Sequence, residues 1–157
     1  KTWIESGVKV VGQHYGGGAF RRRAEGSVAG GLQPPFFALW QAITRKYDGE
    51  IWQPEERIDR VWALKMWTSW ASDYVMKGDK IGTLEVGKLA DMIIIDRDYL
   101  TVEEDDILKI RPLMTMLDGT IGVLQQSLAQ EFNMDPIGMP YSFTDDEITH
   151  IGGPLGN

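Results

Sequence analysis

The chain has 157 residues, 43% of them hydrophobic and 25% charged, with a formal net charge of -7. That balance describes an ordinary globular chain of about one domain, and it excludes a complete eight-stranded (β/α) barrel, which needs roughly 250 residues. The negative charge argues against a nucleic-acid surface, and the absence of cysteine removes disulfides, a thiolate nucleophile and Cys-ligated zinc. No run approaches the ~20 apolar residues that span a bilayer.

Taken in chain order, "KTWIES" at 1–6 reads as the end of a helix, and "GVKVVG" at 7–12 as a short buried strand. Its weak alternation suits a parallel sheet covered on both faces. Residues 13–35 hold six glycines and two prolines without a sustained period, which predicts a long loop of the kind that carries function. "PFFALWQAITRK" at 35–46 places Phe36, Leu39, Trp40 and Ile43 at helical spacing. A second helix is expected from Pro54, with Glu55 and Glu56 in its first turn, Ile58, Val61, Leu64, Thr68, Ala71 and Val75 on one face, and Gly78 at its end.

Beyond Gly78 the pattern turns to β. "TLEVGKLADMIIID" at 83–96 predicts a strand, a turn at Gly87–Ala90 that needs positive φ at Gly87 but tolerates change at Lys88, and a second strand ending near Asp96. Asp91 is suited to bond nearby backbone amides. Glu103–Ile110 reads as a short acid-started helix stopped by Pro112, and Asp118-Gly119 within 113–125 as a hairpin turn. The Gly-, Pro- and acid-rich stretch 126–157 is expected to be an extended tail. There is no internal repeat.

The order of these elements, and above all the run "IGTLEVGKLADMIIID", resembles the C-terminal part of the amidohydrolase superfamily, in the amidohydrolase-3-type branch that includes formamide deformylases. The resemblance covers about residues 1–125 and implies an α/β fold in three parts. Residues 1–78 would be the last strand, glycine-rich loop and helices of a TIM-type barrel; 79–125 would be strands of a small composite β-sandwich; 126–157 would be the tail. It also implies that the chain is one segment of a hydrolase that cleaves an amide or other C–N bond with metal-activated water. A divalent metal, zinc by preference, would be bound mainly by residues outside this chain.

Partners would then be the rest of the amidohydrolase, as an upstream segment or second subunit, and a small-molecule substrate, with no nucleic acid and no membrane span. Because the first residue is Lys1 rather than Met, further sequence is expected upstream. The compartment stays open between cytoplasm and periplasm.

In barrel enzymes reactive groups follow the strand ends, which here means the residues after Gly12. Relatives carry Gly-Ser-Asp at this point, whereas this chain reads Gly12-Gln13-His14. By that resemblance His14 is the candidate catalytic residue and metal ligand, with Gln13 and Tyr15 as pocket wall. An imidazole can ligate zinc or act as a base, but it is not equivalent to a carboxylate. His14 is equally consistent with a polar loop residue in a non-catalytic binding or assembly subunit that has lost the aspartate. His150 in "TDDEITHIGG" and the run Arg21–Arg23 read as solvated surface, and Trp62, Trp67 and Trp70 as packed aromatics.

Overall fold

The computed structural model describes residues 1–12, 36–47 and 50–140. Helix α1 (Thr2–Glu5) precedes α2 (Phe37–Thr44), which buries Phe37, Leu39, Trp40 and Ile43. Their three- and four-residue spacing sets them on one face, so the same pattern that predicts the helix also builds the core. Arg45 ends it in the left-handed region at φ 57°, its amide bonded to the Gln41 carbonyl. A small hairpin follows, β1 (Lys46–Tyr47) with β2 (Glu50–Ile51), which the sequence pattern does not announce.

The face of α2 meets Ile58, Ala63, Tyr99 and the 3-10 helix Glu104–Lys109, whose Ile107 and Leu108 are buried. Its acids occupy the first turn, as expected from the run before Pro112. Each large side chain removed from water here contributes about 1.5–3 kcal/mol. Polar edges of this core find partners: Trp40 Nε1 donates to Asp105 at 3.0 Å, and Lys46 Nζ binds the same carboxylate at 2.6 Å. Arg57 donates to the Ile43 carbonyl at 2.8 Å and pairs with Glu104.

The single helix expected from Pro54 is instead three pieces. Pro54–Glu56 is a 3-10 turn, α3 runs Arg60–Trp67, and α4 runs Ser69–Tyr74. Asp59 starts α3 by accepting from the Trp62 amide at 2.7 Å, and the chain breaks at Thr68 (φ -123°, ψ -99°). The buried face also differs. Val61, Leu64 and Val75 are exposed, whereas Ala63 is fully buried and Trp62, Met66 and Trp67 pack against the first core. Partial burial of two indoles removes more apolar surface from water than one valine and one leucine would. Met76, at φ 56°, reverses the chain before Gly78 is reached.

The buried strand expected at 7–12 is also absent. These residues form no ladder, and Val8 is 47% exposed. A strand is held by neighbours on its edges, and none lies beside this segment among the described residues.

The β unit is an antiparallel sheet in the order β3-β4-β5: Met92–Ile95, Pro112–Leu117 and Thr120–Leu124. Asp118 (φ 47°) and Gly119 (φ 76°) close the hairpin, the two positive values a tight primed turn requires. Residues 83–86 are not a strand: Leu84 and Val86 are exposed, residues 83–85 are irregular, and the turn begins at Val86. Gly87 takes φ +95°, as the turn requires.

The expected tail is partly helical, since Gln126–Glu131 forms α5 and buries Leu128 and Ala129 against Met114 and Leu124. Five of its six residues, all but Ser127, are good helix formers, masked in the composition by the Gly- and Pro-rich sequence around them. Ile137 then bridges to Leu124 beyond the β5 edge. Residues 141–157 lie outside the described part. Among the described residues no helix is long and apolar enough to cross a membrane.

Candidate active site and its flanking elements

The residues singled out from the sequence, Gln13, His14 and Tyr15, lie outside the described part of the structure, as do Arg21–Arg23 and His150. The structure does define the point from which the chain enters them. The last four carbonyls of a helix lack intrahelical donors and must find others. At the end of α3, Leu64 O accepts from Thr68 Oγ1, Lys65 O from the Thr68 amide, and Met66 O from the Gly12 amide at 3.1 Å. The break at Thr68 ends the helix before Met66 can be satisfied within it, and Gly12 supplies the missing donor.

The approach is close. A Cβ on residue 12 would stand 2.2 Å from the Trp67 ring, a distance no side chain can occupy. Lys9, three residues earlier, pairs with Asp73 of α4. Residues 9–12 therefore run over α3 and α4, and a side chain at residue 12 would require the Trp67 ring or the chain to shift.

The described residues do not fit a resident metal. No group of three or more His, Cys, Asp or Glu side chains among them converges on a possible metal position. Their carboxylates bind protein amides and cations instead. Asp98 accepts from the Leu100 amide and from Thr101 Oγ1, which together hold its carboxyl below the usual range. At Asp105 desolvation raises the pKa, but hydrogen bonds from Lys46 and Trp40 and the charges of Lys46 and Lys109 outweigh it and leave the pKa lowered. Burial pushes the Tyr99 phenol well above its ordinary value, so it acts as a hydrogen-bond donor, to Arg60 O at 3.0 Å.

Among the described residues, open clefts of about 620 Å³ lie at two places on the surface. One lies beside α1, between Trp3, Val10, Arg45 and Gln53; the other follows the outer edge of β3, between Leu64, Ile93, Tyr99 and Leu100. Neither gathers a nucleophile, base and oxyanion donor set.

The 83–96 run proves to be a sheet-building device. Asp91 Oδ1 accepts from the Asp118 amide at 2.8 Å, while Asp96 Oδ1 accepts from the Arg111 amide at 2.9 Å and the Asp96 amide returns a bond to Arg111 O. One aspartate at each end of β3 thus fixes the two ends of β4. Asp91 meets an amide 27 residues away rather than a local one. Lys88, expected to be idle, places Nζ 2.6 Å from Thr83 Oγ1 with its side chain 14% exposed, and so ties the turn to the residues before it. Periodicity does not show this second role, because a lysine in a turn reads as solvated.

This strand-and-turn unit falls within residues 30–123, which match the amidohydrolase family model. More than half of the chain is covered, and the chain belongs to the amidohydrolase family, of the amidohydrolase-3 type. It is similar to an N-substituted formamide deformylase of Arthrobacter pascens, with 27% identity over 92 residues, covering 58% of this chain and 17% of that protein. The chain therefore spans less than a fifth of that relative's length.

Proposed function

We propose that this chain is the C-terminal segment of a hydrolase that cleaves an amide or other C–N bond, an N-substituted formamide being the first substrate class to test. The observation that carries the reading is the family match over 30–123, whose sheet and aspartate clamps are formed in the structure. Residues 1–78 would belong to the end of the barrel and 79–125 to a composite β-sandwich. The outer edge of β3, which pairs with no strand among the described residues, is consistent with sheet completion by another segment. The family's divalent metal, zinc by preference, would polarise the carbonyl and acidify bound water. Its ligands would come mainly from a segment outside this chain.

Within this reading His14 is the residue of this chain that would touch the reaction, as a proton acceptor or a supplementary ligand, with Gln13 and Tyr15 beside it. The test is the whole protein, including the sequence upstream of Lys1, assayed for formate release from N-substituted formamides and amine release from simple amides, with its metal content measured. Replacing His14 by Asn should lower turnover at least ~100-fold, the scale for losing an acid–base group. Unchanged turnover removes His14 from the mechanism. The second reading, a non-catalytic binding or assembly subunit, is suggested by Gln13-His14 at the point where the resemblance leads one to expect Ser-Asp. Protein that binds no metal and cleaves none of these substrates establishes it.

A further inference from the structure

We draw no further inference here: the strongest candidate, the apolar cleft along the outer edge of β3 between Leu64, Ile93, Tyr99 and Leu100, belongs to the sheet completion already proposed, and nothing in the structure shows what else covers it.

Discussion

Substitution at Gly87 isolates backbone strain from every other term. The residue sits at φ +95°, and a Cβ built there meets nothing within 4 Å. Overlap with neighbours therefore contributes nothing, and the whole cost is that of holding an L-residue at positive φ, about 1–2 kcal/mol for alanine. Valine should cost more, about 2–3 kcal/mol, because branching at Cβ narrows the allowed backbone region further. Asparagine, which enters the left-handed region more easily, should cost less than alanine. Urea unfolding monitored by tryptophan fluorescence measures this order, and for a chain of this size 1 kcal/mol corresponds to about 2–4 °C in Tm. A valine variant as stable as the parent, or an asparagine variant less stable than alanine, would refute the strain account.

The clamp at Asp91 predicts that Asp91→Ala loses about 1–2 kcal/mol, because the Asp118 amide loses its acceptor, while Asp91→Asn keeps an acceptor oxygen and loses under half of that; equal losses in urea unfolding would show that the hydrogen bond is not what the aspartate contributes. Asp105 predicts an acid effect. Its pKa is lowered in the folded chain, so its stabilisation is fully present above the unfolded value of 3.8 and is lost as the pH falls through the lower folded value. Asp105→Asn should flatten the fall in stability below about pH 4, and an unchanged pH profile would exclude the contribution.

The local patterns legible in the sequence were those whose meaning does not depend on a distant partner. Leu39, Trp40 and Ile43 share a face because of helical geometry alone, and Asp118-Gly119 closes a hairpin because the turn demands positive φ twice. The positive φ at Gly87, the strand Met92–Ile95 and the family resemblance belong with them, since each is local in the chain. The candidate residues Gln13, His14 and Tyr15 came from resemblance to a strand end, and their role remains a proposal.

Tertiary structure decided everything that turns on which of several local options finds a partner. From sequence, Val61 and Leu64 were expected on the buried face of α3; in the structure Trp62, Met66 and Trp67 pack against the core instead, after an Asp59 cap. The apolar segment 7–12 is a strand only beside another strand, and here it lies along α3 and α4 instead, its last amide serving the end of α3. Asp91 and Asp96 are unremarkable acids until the chain returns with the amides of Asp118 and Arg111, and Lys88 is a surface lysine until Thr83 lies beneath it. Helix and turn tendencies are properties of a few consecutive residues, whereas the satisfaction of a buried or terminal polar group depends on residues far away in the chain, and only folding brings them together.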